Sequence, residues 1–332
     1  MRIALVTDAW APQVNGVVRT LAATSAGLTA SGHVVAPITP DLFRTLPCPT
    51  YPEVRLALGA TRRVERLLDD LQPDAIHIAT EGPLGLAARA YCRQRRLRFT
   101  TAYHTKFPEY LRARAGVPLA FGYAALRRFH APSTAVMVAT DTVRRELAER
   151  GFRRVVAWTR GVDTELFRPG RAPAIELPRP VFLYVGRVAI EKNLPAFLRL
   201  ELPGSKLVVG DGPQLAELRR RHPYAHFVGR REGEDLARYY AAADAFVFPS
   251  RTDTFGLVLL EALASGVPVA AFPVAGPLDV VGGSGAGVLN EDLRTAALAS
   301  LQIPRERCRE YALRFDWRAS VEQFLHNLAP IR

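Results

Sequence analysis

Short apolar runs alternate with amphipathic stretches along the first half of the chain. The apolar runs have strand length and cover residues 3–6, 33–37, 75–78, 98–103, 135–139 and 155–158. The stretches between them have helical spacing and cover residues 17–31, 62–71, 84–95 and 142–150. Strands that alternate with helices predict a parallel sheet covered by helices on both faces.

The same alternation restarts in the second half. Its apolar runs cover residues 181–185, 206–209, 226–228, 245–248 and 267–272, with helical stretches at 214–221, 234–242 and 255–265. Three more helices are predicted over 293–301, 305–315 and 317–328. Residues that interrupt helices and strands, such as Gly170, Pro173 and Pro180, predict an interdomain linker over 169–180. The pattern therefore predicts two α/β domains of similar size. It also predicts a loop over residues 38–60 and an irregular segment from residue 280 onward.

Length and composition agree with two soluble domains. The chain has 332 residues, 48% hydrophobic and 23% charged, and its apolar runs are broken well before the length of a membrane span. The first apolar run is too short for a signal peptide. The three cysteines, Cys48, Cys92 and Cys308, have no metal-binding or redox spacing. We therefore expect a cytoplasmic protein.

The net charge of +12 is concentrated in the first half. Residues 1–170 carry 24 Lys and Arg against 14 Asp and Glu, whereas residues 171–332 carry 20 against 18. A basic face suits nucleic acid, anionic lipid or anionic substrates, although an arginine-rich genome produces the same bias. Within this half, residues 109–130 mix apolar side chains with arginines. They predict either a membrane-contacting surface or a packed helix with a solvated basic face.

The strongest candidate for chemistry is the stretch 249–269. An apolar strand runs into a polar turn and then a helix, with Asp253 in the turn and Glu261 inside the helix. A helix N-terminus suits an anionic ligand such as phosphate, and a neighbouring carboxylate suits the hydroxyls of a sugar. The alternatives are that Asp253 caps the helix and that Glu261 is a buried acid paired with an arginine.

Other strand ends of the second half also carry glycine and charged residues. They are Gly186 and Arg187, Gly210 to Gly212 with Asp211, and Gly229 with Arg230. The carboxyl ends of parallel strands meet at one edge of a sheet, so Arg187 and Lys192 predict a diphosphate site that needs no metal. His104 follows a strand of the first half, so it is also placed where a ligand would bind. The alternative is a hydrogen-bonded structural histidine.

Taken together, these motifs resemble family 4 glycosyltransferases of the GT-B fold. The resemblance rests on the segments 186–194, 210–213 and 253–269, on Thr7-Asp8 through Asn15-Gly16, and on 160–163, and it covers essentially the whole chain. The segments 7–17, 103–110 and 252–263 most resemble GDP-mannose-dependent α-mannosyltransferases. The resemblance implies two Rossmann-like, doubly wound parallel-sheet domains that face each other across a cleft. The domains would be 1–168 with the terminal helix 317–332, which has apolar spacing for that packing, and 181–316.

The resemblance also implies residue roles. Arg187 and Lys192 would bind the donor diphosphate, Asp253 the donor-sugar hydroxyls and Glu261 the ribose. His104 would lie near the reacting sugar, which makes His104, Arg187, Lys192 and Asp253 the predicted catalytic set. The remaining predicted donor contacts are Gly16, Val228, Thr254, Phe255, Gly256 and Leu257, and the predicted acceptor-side residues are Asn15, Tyr103, His104 and Lys106.

The implied activity is a retaining hexosyl transfer from a nucleotide sugar, GDP-mannose in the first place, to a lipid or saccharide, with no cofactor or metal. Two departures from the family pattern stand out: the first acid is Asp253 where glutamate is usual, and the loop after Phe272 lacks the commoner Gly-Gly form. The alternatives are a UDP-sugar donor, a GT-B epimerase or phosphorylase, and a basic nucleic-acid-binding module. We expect no nucleic-acid partner, and contact with an anionic membrane through the basic half.

Overall fold

The computed structural model describes residues 1–13, 15–48 and 51–331. The chain divides into two compact units, residues 1–159 with 317–332 (unit 1) and residues 160–316 (unit 2). The predicted linker 169–180 therefore begins inside unit 2, where the backbone N–H of Ala174 donates to Arg238 O at 3.1 Å.

Unit 1 contains a six-stranded parallel sheet, a two-stranded antiparallel sheet and, among the described residues before 160, six α-helices. In chain order its elements are β1 (Arg2–Val6), α1 (Gly16–Ala30), β2 (Val34–Ile38), β3 (Thr45–Cys48), β4 (Tyr51–Ala57), α2 (Ala60–Leu71), β5 (Ala75–Ile78), α3 (Pro83–Gln94), β6 (Thr100–Tyr103), α4 (Phe107–Ala115), α5 (Leu119–His130), β7 (Val136–Val138), α6 (Asp141–Glu149) and β8 (Val155–Ala157). The sheet order is β2-β1-β5-β6-β7-β8. β2 contains Pro37, which an edge strand tolerates because half of its backbone groups need no partner.

Unit 2 contains a second six-stranded parallel sheet. Its elements are β9 (Val181–Val185), α7 (Leu194–Leu198), β10 (Ser205–Val209), α8 (Leu215–Arg221), β11 (His226–Gly229), α9 (Gly233–Ala241), β12 (Ala245–Phe248), α10 (Leu257–Ala264), β13 (Val269–Ala271), α11 (Ala275–Val280), β14 (Gly287–Leu289), α12 (Leu293–Ser300) and α13 (Arg305–Ala312). The order β11-β10-β9-β12-β13-β14 reverses direction between β9 and β12. Open α/β sheets bind ligands at the carboxyl ends of the strands where the order reverses.

The last helix, α14 (Trp317–Asn327), packs in unit 1 against α1 and the end of β8. The Phe324 ring lies 4.8 Å from the Trp158 ring, and the Gln323 side chain accepts the Thr159 N–H at 2.6 Å. On α1, a β-carbon at Gly27 would stand 2.6 Å from a Val321 methyl group. The two helices approach closely because Gly27 has no side chain.

Each unit has its own apolar core. The strands supply fully buried residues such as Ile3 and Leu5 in unit 1 and Phe182 and Val208 in unit 2. Continuous apolar runs with both faces buried are typical of parallel strands covered by helices. This confirms the predicted fold class.

Two local predictions were wrong. Within the predicted loop 38–60, β3 and β4 pair antiparallel, with Thr45 opposite Ala57. Prolines mask the strand signal there, but they are tolerated because both strands are edges. The glycine-rich segment after residue 280 contains the edge strand β14. The basic stretch 109–130 is divided between α4 and α5 by Gly116, whose φ is +66°, and its contact with a membrane remains a prediction.

Candidate active site

The carboxyl edge of the unit 2 sheet is lined by glycines that allow neighbouring loops to touch through their backbones. A β-carbon at Gly210, after β10, would stand 1.8 Å from Gly186 O, after β9. A β-carbon at Gly212 would stand 2.5 Å from Val188 O. Glycine is therefore required at 210 and 212 for packing reasons, and the loops after β9 and β10 form one continuous surface.

The loops after β9 and β12 are held together by hydrogen bonds. A 3-10 helix, Ile190–Lys192, ends at Asn193, whose φ is +53°. The Asn193 amide donates to Pro249 O at 3.1 Å, and the Thr252 hydroxyl donates to Glu191 O at 3.2 Å. These contacts lie where the strand order reverses, so the position expected for a ligand is built from two fixed loops.

Lys192 and Asp253 form an ion pair at this position. Lys192 Nζ lies 2.5 Å from Asp253 Oδ1, and the two side chains are 20% and 15% exposed. Asp253 Oδ2 is buried and accepts no hydrogen bond from any residue that the structure describes. A buried carboxylate oxygen without a donor carries a desolvation cost of about 1–3 kcal/mol, which a bound hydroxyl group would relieve.

Asp253 does not cap the helix that follows it. Helix α10 begins at Leu257, two residues later than predicted, and its N-cap is Gly256 with φ +86° and no side-chain capping bond. The capping alternative is therefore wrong. Thr254 and Phe255 are buried just before the cap. The first N–H groups of α10, which include that of Leu257, have no intrahelical acceptor.

Glu261 lies inside α10 and is 2% exposed. The Tyr240 hydroxyl, on α9, donates to Glu261 Oε2 at 2.9 Å. The sequence gives no sign of this contact, because Tyr240 precedes Glu261 by 21 residues.

The remaining predicted donor contacts lie at the ends of neighbouring strands. Arg187 is half-buried after Gly186, and its carbonyl accepts the Tyr184 hydroxyl at 2.7 Å. Val228 is half-buried in β11. Arg230, by contrast, is exposed and paired with Glu232 at 2.7 Å. The structure thus brings Lys192 and Asp253 into contact and places Arg187 in the same loop as Lys192.

In unit 1, the residues predicted from the segment after β6 have separate surroundings. His104 is half-buried, and its ring meets the Trp158 ring edge to face at 5.5 Å. Tyr103 is buried at the end of β6, and burial raises the pKa of its phenol. Lys106 is also buried, with its Nζ 2.6 Å from Glu146 Oε2 on α6. Tyr103 and Lys106 thus make contacts within unit 1, and their predicted acceptor role remains a prediction.

The two residues predicted at the start of α1 differ in exposure. Asn15 is the N-cap of α1, and its side-chain oxygen accepts the N–H groups of Val17 and Val18, both at 3.0 Å. Gly16 is the first residue of the helix and is exposed. Asn15 therefore has a structural role, while the predicted contact of Gly16 with donor phosphate remains a prediction.

Sequence reasoning missed Asp8, which follows β1 where the unit 1 order reverses between β1 and β5. Its Oδ1 accepts the Leu84 N–H at 2.9 Å, and its Oδ2 accepts the Thr80 hydroxyl at 2.8 Å. A β-carbon at Gly82 would stand 2.5 Å from the Asp8 carboxyl carbon. Asp8 therefore caps α3 from a distant loop. The signal available in the sequence was the Thr7-Asp8 pair at a strand end.

Two family models match the chain. Residues 14–166 match "Glycosyltransferase Family 4", and residues 179–303 match "Glycosyl transferases group 1". A GDP-mannose-dependent alpha-mannosyltransferase of Mycobacterium tuberculosis is 30% identical, with 100% of this chain and 97% of that protein covered. An alpha-monoglucosyldiacylglycerol synthase of Streptococcus pneumoniae is 29% identical, with 82% of this chain and 71% of that protein covered.

Solved structures show the same fold. A sucrose-phosphate synthase from Thermosynechococcus elongatus superposes with a TM-score of 0.78 at 22% identity, covering 98% of this chain and 97% of that one. The Anabaena protein HepE, in complex with UDP-glucose, superposes with a TM-score of 0.71 at 16% identity and 98% coverage of both. The fold is GT-B, the chain belongs to glycosyltransferase family 4, and it is a hexosyltransferase.

None of the helices in 1–13, 15–48 and 51–331 combines the length and apolar character needed to cross a bilayer. In the same ranges, no three His, Cys, Asp or Glu side chains are grouped so that they could hold a metal ion.

Proposed function

We propose that this enzyme transfers a mannosyl residue from GDP-mannose to a lipid or saccharide acceptor, with retention of the anomeric configuration. The support is the mannosyltransferase relatives at about 30% identity, one of which spans the whole chain. The second candidate is a UDP-sugar donor, which is favoured by the glucosyl transferase relatives and by the UDP-glucose complex of a GT-B neighbour.

The observation that carries the proposal is the Lys192–Asp253 pair, which lies where the strand order of the unit 2 sheet reverses. A nucleotide sugar presents a diphosphate directly beside a sugar ring. Lys192 supplies a cation for the diphosphate, and the buried Oδ2 of Asp253 supplies an acceptor for a sugar hydroxyl. Because Lys192 and Asp253 are in contact, one ligand that carries a diphosphate next to a sugar hydroxyl can bind both of them.

The chemistry required of these residues is stabilisation of a leaving diphosphate. As the glycosidic bond breaks, negative charge develops on the phosphate oxygens, where Arg187, Lys192 and the N-terminus of α10 supply positive charge. Asp253 holds the sugar during this step. In the proposal, the acceptor hydroxyl attacks from the face that the diphosphate leaves, and the diphosphate oxygen takes its proton. These residues provide the charge without a metal ion or cofactor.

A panel of donors tests the proposal. Purified enzyme is incubated with GDP-mannose, UDP-glucose and UDP-GlcNAc, and the release of nucleoside diphosphate and binding of each donor are measured. Consumption of GDP-mannose in preference to the UDP sugars supports it, and a preference for a UDP sugar selects the second candidate. Binding of none of the three contradicts both.

The acceptor side of the proposal includes peripheral contact with the inner face of the cytoplasmic membrane. Phe107 at the start of α4 and Phe121 on α5 are 49% and 71% exposed, and the nearby Arg112 and Arg128 are also exposed. Exposed aromatic rings beside arginines suit the interface of an anionic bilayer.

Sedimentation with vesicles tests this contact. We expect binding to vesicles rich in phosphatidylglycerol at physiological salt and a several-fold loss of binding for Phe121→Ser. Leu313→Ser is the matched control, because Leu313 is 53% exposed in unit 2. Equal loss in the two variants, or no binding by the unmodified enzyme, contradicts membrane contact through α4 and α5.

A further inference from the structure

The buried contact between α9 and α10 has a role beyond packing. The Tyr240 hydroxyl donates to Glu261 Oε2 at 2.9 Å, and both residues are almost completely buried. Burying an ionised carboxylate in an otherwise apolar helix is costly unless a donor compensates it. Tyr240 supplies such a donor to Glu261 in this apolar surrounding.

Tyr240 is itself held in place by packing. Its ring meets the Phe167 ring edge to face at 5.6 Å and lies 5.9 Å from the Phe246 ring of β12. Helix α9 follows β11, which contains the predicted donor contact Val228. Tyr240 thus connects the helix that follows the strand of Val228 to Glu261, the acid predicted to bind the ribose.

The phenol is bonded to one oxygen of the Glu261 carboxylate, Oε2. The terminal torsion of glutamate is broad, so packing of the aliphatic stem does not fix the plane of the carboxylate. The hydroxyl also lies 3.3 Å from Val258 O, but a phenol has one hydrogen to donate. The charged acceptor at 2.9 Å is the nearer and stronger partner.

We infer that Tyr240 is a positioning residue that gives the nucleotide site its selectivity for an intact ribose, by orienting Glu261 toward the ribose hydroxyls. This inference rests on the proposed function, because it takes a nucleoside diphosphate as the ligand. Tyr240 acts through Glu261 and touches no ligand itself.

Ribose selectivity is the quantity to measure. The affinity of the enzyme for GDP is compared with that for 2′,3′-dideoxy-GDP by calorimetry, with the UDP pair measured in parallel. The unmodified enzyme should prefer the ribonucleotide. In Tyr240→Phe the ratio of the affinity for the ribonucleotide to that for the dideoxyribonucleotide should fall about tenfold, the value of one hydrogen bond to a charged group. In turnover, KM for the donor should rise with kcat changed less than twofold, since a ribose contact is made equally in ground and transition states.

A matched control is available in unit 1. Tyr91 is also buried, and its hydroxyl donates to a carboxylate, Asp69 Oδ1, at 2.8 Å. Tyr91→Phe removes the same chemical group in the same kind of contact and should leave ribose selectivity unchanged. In a Glu261→Gln background, Tyr240→Phe should cause no further loss of selectivity, because the residue acts only through Glu261.

The outcomes separate this inference from the proposed function. A Tyr240→Phe enzyme that keeps its ribose preference, or that loses affinity equally for ribose and dideoxyribose nucleotides, overturns the inference and leaves the proposed function standing. If the unmodified enzyme binds neither GDP nor UDP, both fail. If Tyr240→Phe does not fold, Phe167→Leu replaces it. That change loosens the packing of the Tyr240 ring, and unchanged ribose selectivity in it overturns the inference.

Discussion

The two sheets of this enzyme reverse strand order in similar ways but fill the reversal point differently. In unit 1 the Asp8 carboxylate occupies the N-terminus of α3, where it accepts the Leu84 N–H and the Thr80 hydroxyl. In unit 2 the corresponding position holds the Lys192–Asp253 pair, which leaves a buried acceptor oxygen without a donor from the described residues. A helix N-terminus attracts an anion, and unit 1 supplies that anion from its own chain.

Charge separates the two units as well. Unit 1 carries 24 Lys and Arg against 13 Asp and Glu, a net charge of +11, whereas unit 2 carries 20 against 19. An excess of this size attracts anionic surfaces over distances of about a Debye length. A nearly neutral unit has to bind a diphosphate through cations that touch it. We therefore expect donor binding to depend on individual residues of unit 2, and attraction to anionic surfaces to depend on the net charge of unit 1.

The largest effect should follow from breaking the unit 2 pair. Lys192→Ala removes the cation closest to the proposed diphosphate and should lower turnover by about 10²–10³-fold, the range found when one group that stabilises transition-state charge is lost. Steady-state kinetics with the preferred donor measure this effect, and circular dichroism checks the fold.

Asp253→Asn provides the comparison within the pair. It keeps the size of the side chain and leaves Lys192 in place, so diphosphate binding should survive while sugar transfer falls. Turnover by Lys192→Ala within threefold of the unmodified enzyme would remove Lys192 from the site.

A smaller effect, on stability rather than turnover, should follow from breaking the lysine–carboxylate pair of unit 1, Lys106 and Glu146. Lys106→Met leaves Glu146 without its partner at 2.6 Å, and both groups are largely buried. Since Glu146 remains partly exposed to screening solvent, we expect a loss of about 1–2 kcal/mol in the free energy of unfolding. Donor binding should not change. Chemical denaturation and calorimetry with the donor measure the two quantities. A stable variant with defective transfer would instead support the predicted acceptor role of Lys106.

The smallest effect concerns the pH dependence of stability at Asp8. Burial raises the pKa of the Asp8 carboxyl above its ordinary value of 3.8. The folded state therefore holds this proton more tightly than the unfolded chain, so the contribution to stability is full below pH 3.8 and is lost as pH rises through the folded pKa.

Asp8→Asn does not titrate, so its stability deficit relative to the unmodified enzyme should shrink between pH 4 and pH 7. Melting temperatures of both proteins across this range measure the deficit. Glu81→Gln is a useful second variant, because the Glu81 charge contributes to the raised pKa of Asp8. A deficit that grows with pH would show that the hydrogen bonds from Leu84 and Thr80 outweigh burial and hold the pKa of Asp8 low.

Much of the fold was predictable because it depends on local periodicity. The runs 181–185 and 245–248 are apolar over the length of one strand, and the structure places β9 and β12 at those residues. The β3–β4 pair and the strand β14 were missed because proline and glycine mask the alternation that marks strands. In both cases the strand lies at an edge, where a partner on one side suffices.

The sequence by itself determined the parallel-sheet units, the family, and which residue types stand at the strand ends. Only the tertiary structure decided which of those residues meet. Lys192 and Asp253 are 61 residues apart, and Asp8 and Leu84 are 76 apart. Such contacts follow from the order of strands within each sheet, which periodicity along the chain does not encode. The strand order is thus the physical reason that the acids at 8 and 253 have different partners.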